Sequence, residues 1–324
     1  MALNPVPWAI NGGKATAADA RRVAYAATSG ATGITASNDF RVVASTPTGA
    51  SVLVYAGSGV IAQKYTSASP TQSYIVSADS GTTVSVPATA GSARTDYLII
   101  KVVDPEYGGQ APTDLVNGPY VSFALVSSIT NLTYPFLPLA KIVQPANNGA
   151  ITQAMITPLR EMANPRRKRD LSTLAMTQAQ AETQTVTVAS GEYWPNAAAA
   201  AWTAMEIPDW ATQARVVCTW AQVKVPPGNV TGALWVQLGV VGNADTKSTQ
   251  SVTYDTPGLT NNSRSTFVLG DMVSIPKTLR GSTQPFRPRA RWDAGAAAGR
   301  LILDGGSAII MDIEYLEAPS EDDF

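Results

Sequence analysis

The chain has 324 residues, enough for about two domains that each bury an apolar core. Its 23 basic and 24 acidic residues leave a formal net charge of −1, so no overall field draws it to nucleic acid or to an anionic membrane. Histidine is absent and Cys218 is the single cysteine, which excludes Ser-His-Asp and Cys-His nucleophile systems, imidazole-bearing zinc and iron sites, Cys-cluster metal sites and intrachain disulfides.

Charged residues make up only 15% of the chain. Ala, Ser, Thr and Gly cover much of the surface instead, a texture that suits β-rich chains and surfaces hidden between subunits. The start, Met1-Ala2-Leu3-Asn4-Pro5-Val6-Pro7-Trp8, lacks the basic region and apolar core of a secretory signal. No stretch approaches the roughly 18 apolar residues needed to span a bilayer. Synthesis in the cytoplasm and no membrane insertion are therefore expected.

The first element in chain order is a helix over 16–27, with Thr16 as N-cap and Asp19 completing an approximate capping box. Ser29-Gly30 stops it. A short Ala-rich helix is marginal alone in water, so it must pack on something else, a second subunit included. Residues 1–40 read as a docking segment.

From Arg41 the apolar period changes to two, and short β runs recur at 41–45, 51–62, 73–78, 82–88, 96–107, 121–129 and 136–145. Ala78-Asp79-Ser80-Gly81 reads as a hairpin turn, and Asp104-Pro105-Glu106-Tyr107-Gly108-Gly109 opens a longer loop. Tyr97-Leu98-Ile99-Ile100-Lys101-Val102-Val103 is apolar on both faces, which predicts a central strand.

Residues 164–184 read as a basic and helical linker, with Pro165-Arg166-Arg167-Lys168-Arg169 followed by a helix over 171–181. A second β region spans 185–324, with runs at 185–190, 214–226, 233–242, 248–255, 264–275, 287–293, 299–303 and 308–317. Alternation sets Leu234, Val236, Leu238 and Val240 on one core face, and Ile309, Met311, Ile313 and Tyr315 on another. The predicted fold is mainly β, with two β-sandwich or jelly-roll-like domains at 41–163 and 185–324.

Enzyme templates fail one by one. Gly57-Ser58-Gly59 runs strand to strand and has no histidine to activate the serine. No phosphate-binding loop, acidic calcium loop or other cofactor motif occurs. Asp104 with Glu106 and Asp312 with Glu314 are the carboxylate pairs a glycosidase could use, but for Asp312 and Glu314, two apart on one strand face, solvent or intersubunit salt bridges are expected instead. Arg287, Arg289 and Arg291 alternate onto one strand face and need acids or an anionic ligand to answer them; Asp312, Glu314 and Glu317 are the expected partners, across strands or subunits.

Six of the seven tryptophans lie beyond residue 190. Trp220 and Trp235 fall within strands and read as core or interface. Tyr193, Trp194, Trp202 and Trp210 fall in an irregular Ala-rich stretch, and exposed rings there can cover the apolar C–H face of a sugar.

One stretch carries a resemblance. Gly59-Val60-Ile61-Ala62 and Tyr74-Ile75-Val76-Ser77-Ala78 precede Arg94-Thr95-Asp96-Tyr97-Leu98-Ile99-Ile100-Lys101-Val102-Val103-Asp104-Pro105-Glu106-Tyr107; the stretch closes on 138–142 and on Ile156-Thr157-Pro158-Leu159-Arg160. Over residues 41–163 this resembles the N-terminal part of minor tail or upper tail-fibre proteins of actinobacteriophages. The resemblance implies a structural virion tail component, commonly a homotrimer, that takes part in host attachment. On that reading residues 1–40 dock to other tail proteins, the first β domain trimerises, and the second faces host cell-wall glycan. The alternatives are a purely structural virion part, such as a head decoration or baseplate spacer, and a carboxylate-dependent glycan-degrading tail enzyme.

Overall fold

The computed structural model describes residues 11–175, 185–195, 205–240, 242–293 and 299–321. The chain is mainly β and divides into two compact units, Met1–Pro165 with Pro319–Phe324, and Arg166–Ala318. No helix among the described residues is long and apolar enough to cross a membrane.

Unit 1 begins with helix α1 (Ala17–Thr28) and continues through β1 (Gly33–Ile34), β2 (Val42–Ala44), β3 (Ser51–Val54), β4 (Gly57–Ala62), β5 (Ser73–Ala78), β6 (Thr82–Ser85), β7 (Arg94–Val102), β8 (Val121–Val126), β9 (Phe136–Gln144) and β10 (Ile156–Pro158). The capping box closes as predicted: Thr16 N donates to the Asp19 carboxylate at 2.9 Å, and Asp19 N donates back to Thr16 Oγ1 at 3.3 Å. The strands form sheets ordered β1-β4-β5, β2-β3-β6 and β10-β9-β7-β8. β7 is central in the last, as its two apolar faces predict.

The 78–81 turn is a correction. β5 and β6 do not pair with each other; Val54 faces Thr82 and Gly57 faces Ala78, so 51–62 and 73–85 are two arms of one long hairpin. Its connection is 63–72, and both arms bend, at 55–56 and 79–81, to pass from one sheet to the next. Buried Phe40 meets the bend with its backbone: its N–H donates to Ala56 O at 3.3 Å, and a Cβ on Gly57 would come within 2.5 Å of that N. Only glycine allows that approach.

The docking segment is also corrected for its described part. Ile34 and Phe40 belong to the core of unit 1, and β1 pairs with β4. α1 packs on β4 and β5 of its own chain. Arg21 fixes it there, with Nη1 3.3 Å from Asp104, Nη2 donating to Glu106 at 2.6 Å and to Tyr107 Oη at 2.9 Å, and its guanidinium 5.6 Å from the Tyr74 ring. The end of the chain closes this unit too. Buried Arg160 donates to the carbonyls of Asp39 (2.8 Å) and Ser320 (2.9 Å) and pairs with Glu321.

Unit 2 contains β11 (Arg167–Ala175), β12 (Glu192–Tyr193), β13 (Met205–Glu206), β14 (Gln213–Val225), β15 (Gly228–Leu238), β16 (Lys247–Ser248), β17 (Val252–Leu259), β18 (Ser263–Ser274), β19 (Thr283–Gln284), β20 (Phe286–Trp292) and β21 (Ala308–Leu316). Two sheets, β11-β21-β14-β18 and β12-β20-β15-β16 with β17 on β15, share a core of Val216, Cys218, Trp220, Leu234, Val236, Phe286, Met311, Ile313 and Tyr315. This is a sandwich architecture. Pro226-Pro227, which cannot donate to a ladder, carries the chain from β14 in one sheet to β15 in the other.

The basic helical linker is replaced by β11. Residues 167–175 pair throughout with β21, so the 171–181 helix is strand up to Ala175, and 176–184 lie outside the described residues. The charge pattern explains the difference. In a strand Arg167 and Arg169 fall on one face, opposite Asp312 and Glu314 of β21, and Arg169 forks onto Asp312 at 2.7 and 2.6 Å. The expected strands at 185–190 and 299–303 reduce to single bridges from Ile302 to Thr185 and Lys224, although Val186, Leu301 and Leu303 are core. Ile309, Met311, Ile313 and Tyr315 are all buried as predicted, whereas Val240 is 59% exposed because Gly239 (φ +87°) turns the chain past the end of β15.

Candidate functional site

The arginine row and one member of the aromatic quartet meet on the outer face of β12-β20-β15. β20 alternates buried Phe286, Pro288 and Ala290 with half-buried Arg287, Arg289 and Arg291, because its period of two turns every second side chain away from the core. Tyr193 of β12 and Trp235 of β15 are both register partners of Arg289. The Arg289 guanidinium lies 5.3 Å from the Tyr193 ring and 5.1 Å from the Trp235 ring, and that of Arg287 lies 4.8 Å from Tyr193. Cations and π faces therefore form a ladder across three strands.

Short polar contacts hold the ladder. Arg289 Nη1 donates to Gln237 Oε1 at 2.7 Å and Nη2 donates to Gly191 O at 2.9 Å. Gln237 is only 2% exposed and its Nε2 reaches Tyr193 Oη at 3.4 Å. Gly191 sits at φ +101°, and a Cβ there would come within 2.6 Å of the Trp235 ring. Both constraints require glycine.

No carboxylate among the described residues lies within ion-pair distance of Arg287 or Arg289, and the Nε–H groups of both are buried without an acceptor among those residues. The acid of β12 does not answer them, because Glu192 accepts from the backbone N–H groups of Thr187 and Val188. Arg291 differs: Asp293 pairs with it at 2.5 Å.

The expected pairing with β21 is therefore corrected. Asp312 and Glu314 belong to the other sheet, where Arg169 pairs Asp312 at 2.6 Å and Arg167 and Arg215 both lie 3.9 Å from Glu314. Glu317 accepts a fork from Arg166 at 2.8 and 2.7 Å. Hydrogen bonding from Arg169 holds the Asp312 carboxyl below its ordinary range, and hydrogen bonding from Arg21 does the same for Glu106. A glycosidase acid requires the opposite shift. Burial pushes the Cys218 thiol far above its ordinary range, which removes the thiolate that reactivity needs.

No family model matches the chain, and no curated protein does. Three solved structures are similar to it at low TM-scores. The infectious bursal disease virus Gx strain aligns at 10% identity over 90% of this chain and 75% of that one, with a TM-score of 0.22. The VP2 subviral particle of the same virus aligns at 11% identity over 90% and 73%, with a TM-score of 0.21. A family 43 arabinoxylan arabinofuranohydrolase from Bacillus subtilis, in complex with cellotetraose, aligns at 11% identity over 86% and 66%, with a TM-score of 0.17. Superpositions at this level establish no common fold, and no function follows from them.

The other aromatics separate. Trp194 is 1% exposed and packs in the core of unit 2, so it is withdrawn from ligand contact. It follows the last residue of β12, with its N–H donating to Pro288 O at 3.1 Å, and successive residues of extended chain point to opposite faces. Trp210 packs against the core edge under the Arg166 guanidinium, 5.3 Å away, and does not meet Tyr193. Trp202 lies outside the described residues. Sequence reasoning missed Trp235, Gln237 and Gly191. Alternation alone could have found Trp235, since it sits between core residues Leu234 and Val236 and must face outward.

Proposed function

We propose that the chain is a non-enzymatic structural protein of a bacteriophage tail that assembles as a homotrimer and attaches to host cell-wall glycan through the Tyr193–Arg289–Trp235 ladder. The observation that carries the attachment reading is the pair of guanidinium groups, Arg287 and Arg289, held among aromatic rings with no carboxylate among the described residues answering them. Rings of this kind cover the C–H face of a sugar, and a guanidinium fork binds a carboxylate or phosphate on the same polymer. The placement in a tail, after synthesis in the host cytoplasm, is supported by the resemblance of residues 41–163 to actinobacteriophage minor tail proteins. The non-enzymatic reading is supported by Asp312 and Glu106, which are ion-paired and held ionised rather than poised to give a proton.

Two measurements test this. Light-scattering mass of the full chain is expected to give a trimer, and a monomer would contradict the assembly. Fluorescently tagged full chain is expected to sediment with purified actinobacterial cell wall and to lose that binding on Arg289→Ala.

One observation favours a second reading, a purely structural virion part. The two terminal nitrogens of Arg289 already donate to Gln237 and Gly191, so the ladder can serve as an internal clamp. In that case Arg289→Ala lowers stability and the wild-type chain does not bind the wall.

A further inference from the structure

Unit 1 carries an open cleft of about 690 Å³, unrelated in residues to the ladder of unit 2. Tyr65, Lys101, Thr113, Asp114 and Tyr134 line it, together with backbone of the 108–119 loop. Lys101 extends from β7 so that its ammonium lies 4.3 Å from the Tyr134 ring. Among the described residues it has no carboxylate or hydrogen-bond partner.

The walls are fixed by contacts elsewhere in the unit. Tyr65 Oη donates to Val102 O and accepts from Asp104 N, both at 3.2 Å, and its ring packs 6.3 Å from that of Tyr107. Tyr107 is in turn held by Arg21 of α1 at 2.9 Å, so the helix braces one wall. The opposite loop is tied by Asp114, whose Oδ1 accepts from Val116 N (2.9 Å) and Asn117 N (3.0 Å) while Oδ2 accepts from Asn117 Nδ2 (2.8 Å). Tyr120 Oη closes the loop on Leu115 O at 2.7 Å. A cleft with walls already ordered binds without the entropy cost of forming them.

We propose that this cleft binds a short acidic oligosaccharide, one bearing a uronic acid. The volume lies within the range of about 300–1,000 Å³ found for small-ligand sites. Tyr65 and Tyr134 offer ring surface to the pyranose C–H face, and the unanswered Lys101 ammonium meets the uronate carboxylate. Asp114 is consistent with such a ligand because three donors already hold its carboxylate, and a fourth lone pair is left for a sugar hydroxyl. The site goes beyond the ladder and stands or falls without it.

Calorimetric titration of the full chain with trigalacturonate tests the proposal, with uncharged cellotriose as the comparison. Saturable binding of trigalacturonate is expected, weakened about tenfold or more by Lys101→Ala and by Tyr134→Ala, and unchanged by Arg169→Ala, whose exposed side chain belongs to neither site. Lys101→Gln keeps the stem of the side chain and is expected to weaken binding equally, with an unchanged melting temperature showing that the fold is intact. Equal affinity for cellotriose, no binding heat, or binding indifferent to both Lys101 variants would overturn the cleft as an acidic-glycan site. Loss on Arg289→Ala with none at Lys101 would also overturn it, while leaving the ladder as the attachment site.

Discussion

The two units reach stability by different routes. Unit 2 is a sandwich of long strands, up to 13 residues in β14, whose facing sheets bury Trp220, Phe286, Tyr315 and many aliphatic side chains in one cluster. Unit 1 divides its strands among three small sheets and adds little-exposed guanidinium groups, Arg21 reaching Asp104 and the exposed Glu106, and Arg160 reaching the partly exposed Glu321. A small sheet buries less apolar surface, so guanidinium forks take over the task of joining pieces distant in sequence. The lesson is that apolar deletions should act chiefly on unit 2, and loss of a buried cation or its partner chiefly on unit 1.

The strongest test removes the largest core side chain. Trp220→Ala is expected to destabilise unit 2 by about 3–5 kcal/mol and to leave unit 1 protected, read as hydrogen-exchange protection of each unit. Ending the chain at Ala318 removes Ser320 and Glu321 from buried Arg160 and should cost unit 1 about 3 kcal/mol with little effect on unit 2. Arg21→Ala is expected to cost about 1.5–3 kcal/mol, confined to α1 and the 104–107 turn, and to loosen the cleft wall.

Acid sharpens the same contrast. Glu106 is held below its ordinary pKa in the folded chain, so its contribution is complete above the unfolded value of about 4.3 and is lost as pH falls through the lower folded value. α1 should therefore loosen from unit 1 in that window, and Arg21→Ala should remove this part of the pH dependence. The smallest effect is expected at Arg169→Ala, whose ion pair with Asp312 lies on an exposed face; urea midpoints should not move measurably.

Much of the fold was legible where one strand met a consistent environment. Tyr97–Val103 is apolar on both faces because β7 has strands on either side, and Ile309, Met311, Ile313 and Tyr315 keep strict alternation because β21 has one face on the core. β11 was illegible because the features that make it a strand, Asp312 and Glu314, stand more than 140 residues away. The 51–85 hairpin was illegible because its bend meets the backbone of Phe40, outside the hairpin, which no local pattern encodes. Tyr193 and Arg289 were visible separately, one as an aromatic outside a strand and the other as part of a charged row. Their union with Trp235 depends on the strand order β12-β20-β15, and the cleft in unit 1 likewise joins residues 65, 101 and 134 only through the fold.

Attachment runs through an arginine ladder whose Arg287 and Arg289 meet no carboxylate among the described residues. Sedimentation of full-length chain with purified actinobacterial cell wall, wild type beside Arg289→Ala and Tyr193→Ala, tests it most directly. The account predicts saturable binding by the wild type, weakened about tenfold or more in both variants at unchanged melting temperature and diminished by added salt. Wild-type chain left wholly in the supernatant, or variants that bind as tightly as the wild type, would contradict it.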